Sequence, residues 1–168
     1  MDDKNDGKYA RAPTVEDLIY LCRRLNEEGA SYILIGGFAV ILHGFTRGTK
    51  DIDILVDSSP ENIRKVKMAM ASLPDNAIAD IRDDDIANYE VVRVADEFVV
   101  DLMGKACGIS FNKAKDGIEW MTIEGVRIAV ANKELLFRMK DTIRPADQMD
   151  RGFLKLLLEK EKNDKEIT

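Results

Sequence analysis

LIGGFAVILHGFTRGTKDIDILV, residues 34–56, holds the reading on which the fold turns. Leu34 and Ile35 end a short apolar run that begins at Ser31. Gly36-Gly37 interrupts it, and Phe38 to His43 stays almost wholly apolar until Gly44 closes the segment. A strand, a glycine turn and a short buried helix account for that order. Asp51-Ile52-Asp53-Ile54-Leu55-Val56 then sets two acids into an aliphatic strand. Residues two apart on a strand share a face, so both carboxylates point one way while Ile52, Ile54 and Val56 point into the core. Adjacent acids repel one another and strands do not favour aspartate. A solvent-facing edge tolerates such a pair. A hard cation explains it better, because Mg²⁺ takes oxygen ligands and a rigid strand supplies two.

Two further features extend this. Missing β-carbons at Gly36 and Gly37 let backbone approach a phosphate at the start of a helix, although paired glycines also serve as a plain tight turn. Asp101, in Glu97-Phe98-Val99-Val100-Asp101-Leu102-Met103, is another acid in a strand too apolar to be exposed. If that strand lies beside Asp51–Val56, three carboxylates converge, and two metals about 3.5–4 Å apart can bridge the attacking and leaving oxygens of a phosphoryl displacement. The alternative for Asp101 is an ion pair with an arginine such as Arg93.

Around this centre, Thr14 and Asp17 form a capping signal for an amphipathic helix carrying Leu18, Leu21, Cys22 and Leu25, stopped at Gly29. Ser59-Pro60-Glu61 opens a helix to about Ser72. Tyr89–Val94 and Glu97–Met103 pair as a hairpin through Ala95-Asp96, and Ile118–Ile123 pairs with Val126–Val130 around Glu124-Gly125. Asn132 caps a helix to about Ile143, and Pro145 begins a last one. The fold class expected is α/β (α+β), a mixed, mainly antiparallel sheet flanked by helices. One domain over residues 14–158 is expected between a loose segment 1–13 and a charged tail 159–168.

The 168 residues are 45% hydrophobic and 33% charged, with no run near the ~18 apolar residues of a membrane span. The first twelve residues lack a signal-peptide pattern, so the expectation is a cytoplasmic protein. Cys22 and Cys107 are too few and too far apart for a disulfide framework or zinc site, and read as buried reduced thiols. A net charge of −6 disfavours non-specific nucleic-acid binding.

Gly36-Gly37-Phe38-Ala39-Val40, His43-Gly44, Arg47, Thr49, Asp51-Ile52-Asp53 and Val100-Asp101-Leu102 together resemble the Gly-Gly or Gly-Ser, Asp-x-Asp and distal Asp pattern of polymerase-β-like nucleotidyltransferases. The likeness is to the small single-domain members: minimal, antibiotic and toxin-type enzymes. It spans Leu34 to Met103, and continues more softly through Asn132-Lys133-Glu134-Leu135-Leu136, Lys140, Arg144 and Asp147. The resemblance implies a fold with Gly36 and Gly37 against a triphosphate, and two Mg²⁺ ions held by Asp51, Asp53 and Asp101. Asp101 would also help activate an acceptor hydroxyl. Where some members have Gly-Ser, Gly37 leaves only backbone amides in the turn.

Arg47 and Lys50 can neutralise phosphate charge or be plain surface cations. Thr49 can bond a phosphate or hold its loop. Lys140 can reach the triphosphate in the manner of the similar segment. His43 reads as a packed or helix-terminal residue, Trp120 as core or hairpin packing, and Asp83-Asp84-Asp85 as a solvated turn. The activity implied is transfer of a nucleoside monophosphate from a nucleoside triphosphate, such as ATP, to an acceptor hydroxyl on a protein, small molecule or RNA, with pyrophosphate release. The alternative is a non-catalytic nucleotide-sensing or partner-binding module of the same fold. So short a chain leaves little for an acceptor pocket, so a partner protein or a homodimer is expected to complete the site.

Overall fold

Thr14 Oγ1 accepts from the Asp17 amide at 3.2 Å while the Asp17 carboxylate accepts from the Thr14 amide at 2.7 Å. This reciprocal cap satisfies two orphan donors and starts helix α1, Val15–Glu27. A computed structural model describes residues 10–167 of the chain. Strand β1 (Tyr32–Ile35) runs straight into helix α2 (Gly36–Leu42), so both glycines form the first turn of the helix rather than a separate loop. Strand β2 is Asp51–Val56, and helix α3 (Pro60–Met70) starts where Ser59 Oγ accepts from the Asn62 amide. A 3-10 turn at Ala77–Asp80 and a one-turn helix α4 (Asp85–Asn88) lead to the antiparallel pair β3 (Val92–Ala95) and β4 (Val99–Met103). A small hairpin of β5 (Lys105–Ala106) and β6 (Ile109–Ser110), then α5 (Phe111–Ala114), precede the hairpin of β7 (Ile118–Ile123) and β8 (Val126–Ala131). Helices α6 (Lys133–Met139) and α7 (Pro145–Ile167) complete the order.

The six-stranded sheet runs β3-β4-β2-β1-β8-β7. Its β1/β2, β3/β4 and β7/β8 pairs are antiparallel, and β1/β8 and β2/β4 are parallel, so the mixed, mainly antiparallel sheet expected from sequence is the one observed. Helix α1 lies against α3 and β8, α2 against β1, β2, α6 and α7, and α6 against α7. Ile52, Ile54, Leu55 and Val56 of the central strand β2 are fully buried.

Several boundaries differ from the sequence reading. Residues 89–91 precede the strand expected to start at Tyr89, and the helix expected to reach Ile143 ends at Met139, with Lys140 as its cap. The β5/β6 hairpin and α5 carry too few residues to show a period. Glu124 and Gly125 do form the turn assigned to them, with φ of +48° and +79°, the pair of left-handed residues that a two-residue hairpin needs. Of the segment expected to be loose, residues 1–9 lie outside the described residues. Arg11 bridges to Phe98 and pairs with Asp17, and Pro13 is buried. The charged stretch from Glu159 continues α7 as exposed helix through Ile167, and Lys133 pairs with Glu161. Thr168 lies outside the described residues. No helix among the described residues is long and apolar enough to cross a membrane.

Candidate functional site

Because alternate residues of β2 bury Ile52 and Ile54, Asp51 and Asp53 project to the opposite side of the strand. Strand β4 lies parallel beside it with Asp101 directly across from Asp53. Each of the three aspartates offers a carboxylate oxygen, and these oxygens all lie within 4.8 Å of one another. This grouping carries an electrostatic cost. Burial, and then the charges of Asp51 and Asp101, raise Asp53 to about 7. Burial and the charge of Asp101 also raise Asp51, with Arg93 opposing.

Arg93, opposite Asp101 on β3, donates from Nε and Nη2 to the two carboxylate oxygens of Asp101, both at 2.9 Å. A third bond runs from Nη2 to Asp51 Oδ2 at 3.3 Å. Convergence of the acids and pairing of Asp101 with Arg93, posed above as alternatives, are therefore both present.

The two glycines divide. Gly36 has φ +71°, and a β-carbon there would come within 2.0 Å of Asp53 Oδ2, so its first task is to make room for that carboxylate. Gly37 is buried, and its missing β-carbon makes room for Thr49 Oγ1 at 2.8 Å and the Arg47 guanidinium carbon at 3.5 Å.

An open cleft of about 830 Å³ lies over the triad, within the size range of small-molecule sites. Gly36, Asp51, Asp53, Asp101, Arg93 and Lys140 line it, with Tyr89, Val91 and Met103 as an apolar wall and the Lys105–Gly108 turn at its edge. Arg47, Thr49 and Lys50 are not among its lining residues. Thr49 Oγ1 donates to the Asp51 carbonyl at 3.1 Å, which holds the loop, and Lys50 is exposed.

Lys140 is buried, with Nζ 2.8 Å from Asp150 Oδ2 and 3.3 Å from Asp147 Oδ1, and its charge opposes the rise at Asp53. Arg47 Nη1 reaches the same oxygen of Asp150. Asp150 is 0% exposed, and its Oδ1 has no hydrogen-bond partner among the described residues. Nothing in the sequence reading singled out Asp150. The structure places it on α7, where Asp147, Asp150 and Leu154 follow at three and four residues on one buried stripe.

His43, Trp120 and the acidic run from Asp83 to Asp85 do not line the cleft. His43 Nε2 donates to the Ala131 carbonyl at 2.9 Å, and its side chain is buried beside Glu119. Trp120 is half exposed under the guanidinium of Arg127. Asp83 and Asp84 form an exposed turn, with Asp83 paired to Lys67, and Asp85 begins α4 and accepts from the Arg82 amide. Cys22 is buried, which pushes its thiol up to about 12. Cys107, expected to be buried, is exposed instead, because it sits in the β5/β6 turn with φ +47°.

Residues 15–100, just over half the chain, match the model of a family described as nucleotidyltransferase of unknown function (DUF6036). The matched span holds Gly36, Gly37, Asp51, Asp53 and Arg93 and stops one residue short of Asp101. No curated protein matches the chain in sequence. Among solved structures, a "putative nucleotidyltransferase" of Thermotoga maritima, TM1012, superposes with a TM-score of 0.55 at 17% identity, covering 89% of this chain and 92% of that one. At that identity the likeness concerns the fold.

Proposed function

The chain belongs to the family described as nucleotidyltransferases of unknown function, and from that membership we propose a metal-dependent enzyme that moves a nucleoside monophosphate from a nucleoside triphosphate to an acceptor hydroxyl. The observation that carries this reading is the meeting of Asp51, Asp53 and Asp101 within 4.8 Å at the floor of a nucleotide-sized cleft.

Three carboxylates on two adjacent rigid strands are a hard, all-oxygen donor set, which suits Mg²⁺ or Mn²⁺ and not a soft metal. The raised Asp53 supports the fit, since a group of acids that resists full ionisation is one a cation relieves. Two bound ions would neutralise the triphosphate and the developing charge on the leaving pyrophosphate. In the transfer itself the acceptor oxygen bonds to the α-phosphorus while the bond to the bridging oxygen breaks, and pyrophosphate leaves with the electron pair. Asp101 is the residue we assign to help activate the acceptor hydroxyl, by accepting the proton that its oxygen gives up. Lys140 presents a fixed charge to the phosphates from its seat on Asp147 and Asp150. Gly36 offers backbone on the cleft wall with no β-carbon in the way. Catalysis then rests on positioning and charge neutralisation.

One observation favours the second reading, a non-catalytic nucleotide-sensing or partner-binding module. Arg93 already satisfies Asp101, as an arginine would in a site that no longer needs a metal. Incubating the protein with Mg²⁺, each nucleoside triphosphate and cell extract, followed by mass spectrometry and pyrophosphate measurement, separates the two. Transfer that disappears in Asp53→Asn supports the enzyme. Nucleotide binding with no product in any extract supports the module. The net charge of −6 favours a protein or small-molecule acceptor over RNA. A partner protein completing the acceptor side would appear as turnover only after extract is added, whereas completion by a second copy would appear as a dimer of the purified protein.

A further inference from the structure

We infer that Arg93 is a resident counter-cation of the triad, holding carboxylate oxygens that a divalent ion needs and leaving them when the ion arrives, so that its release sets metal affinity. The inference rests on the metal reading of the three aspartates.

The geometry is asymmetric in a way that a purely structural ion pair does not require. Arg93 takes both oxygens of Asp101 and one of Asp51, across two strands, and makes no hydrogen bond to Asp53. A guanidinium in that position spans the space between two of the three acids. An ion ligated by Asp51 and Asp101 sits about 2.1 Å from the same oxygens, with twice the charge. Guanidinium and ion would then compete for the same lone pairs at a separation where like charges repel strongly.

The two partners also differ in freedom. The Asp101 side chain is 8% exposed, on a strand paired on both sides. The Arg93 side chain is 47% exposed, and among the described residues β3 is the edge of the sheet, bonded only to β4. Its guanidinium can therefore swing into the cleft without disturbing packed residues, whereas Asp101 has nowhere to go. Without a cation, three acids this close would be poorly tolerated, and Arg93 supplies the missing charge while the site waits. Lysine would not replace it, because a single ammonium cannot bind both oxygens of Asp101 in a fork while reaching Asp51.

The test is a calorimetric titration of Mn²⁺, without nucleotide, into the wild type, Arg93→Gln, Arg93→Lys and Asp53→Asn at pH 8, with folding checked by circular dichroism. Arg93→Gln should bind Mn²⁺ about tenfold more tightly than the wild type, the strength of a partly exposed charged hydrogen-bond pair. Arg93→Lys should fall between them. The melting temperature of Arg93→Gln should be lower than wild type in chelator and should rise more on adding Mn²⁺. If Arg93→Gln does not fold, tighter binding by Arg93→Lys alone still supports the inference. Affinity that is unchanged or weaker in the folded variants overturns it while leaving the metal site standing. If the wild type and both Arg93 variants bind no Mn²⁺, the metal reading of the triad fails and takes this inference with it.

Discussion

A β-carbon on Gly36 would lie 2.0 Å from Oδ2 of Asp53 and 2.8 Å from its Cβ. The first residue of α2 thus rests directly on the acid at the centre of the site, and the two are neighbours because Ile35 pairs with Asp53 across β1 and β2. Rotating the Asp53 side chain clears the carboxylate but not the Cβ, so the backbone must move, and φ of +71° adds strain for any L side chain. Gly36→Ala should cost about 2–4 kcal/mol and abolish divalent-ion binding in the protein that remains folded. Gly37→Ala, with ordinary helical φ and a rotatable Thr49 as its obstacle, should cost less. Urea denaturation of the two variants measures the order, and a reversed order would contradict the assignment.

Asp53 at about 7 makes a prediction about pH with a definite sign. In the unfolded chain the group titrates near ~4. Between those values the folded protein holds a proton that the unfolded chain has lost, so the contribution to stability is full below about pH 4 and is lost as pH rises to about 7. Asp51, raised for the same reasons, shares that sign, whereas Asp17 and Asp147 are lowered and have the opposite one. Asp53→Asn isolates the effect. In chelator its melting temperature should exceed the wild type by a margin that widens from pH 4 to pH 7. The same variant should keep less than about a tenth of any transfer activity. A margin independent of pH would refute the raised value.

Asp150 holds Lys140 and Arg47 from a fully buried position. Asp150→Ala leaves the buried Lys140 with Asp147 as its remaining partner and should destabilise by about 3–5 kcal/mol. Asp150→Asn should cost less, because its amide oxygen still accepts from one of the cations. Thermal and urea melts of both variants provide the check. A loss below about 1 kcal/mol for Asp150→Ala would mean that the pair is not coupled to folding.

Asn62 closes the start of β1 onto α3. Its Oδ1 accepts from the Ser31 amide at 2.7 Å, and its Nδ2 donates to the carbonyls of Ser31 at 3.0 Å and Asp57 at 2.7 Å. Asn62→Ala should cost about 1–3 kcal/mol, since the half-buried Ser31 amide and Asp57 carbonyl lose their partner. Asn62→Asp should be at least as costly, because a carboxylate cannot donate to either carbonyl. Denaturation midpoints at pH 8 test both, and a neutral Asn62→Asp would show that water replaces the donor.

Much of the candidate site's geometry was legible because it is written in local periods. The two-residue spacing of Asp51 and Asp53 forces a shared face wherever a strand forms, and an aliphatic strand leaves only one face for them. The reciprocal cap of Thr14 with Asp17 and the paired positive φ of Glu124 and Gly125 follow equally from neighbouring residues. Arg93 was visible only as a possible partner for Asp101, because nothing local says that its fork also reaches Asp51. Asp150 was invisible. Its partner Arg47 is 103 residues away, and an acid in a helix is unremarkable until the narrow stripe that the helix buries is known.

What the sequence by itself determined, then, is the longer strands and helices, several of their caps and turns, and which face of β2 carries charge, since each follows from the covalent spacing of a few residues. What only the tertiary structure decided is which strand lies beside β2, the register that sets Asp101 opposite Asp53, and the turning of Gly36 toward the acids and Gly37 away from them. It also decided the grip of Arg93 on two of three carboxylates. These depend on how the whole core packs. A strand's alternation is set by its own backbone, but its neighbour is chosen by the burial of every apolar face at once, and charged partners meet only after that choice is made.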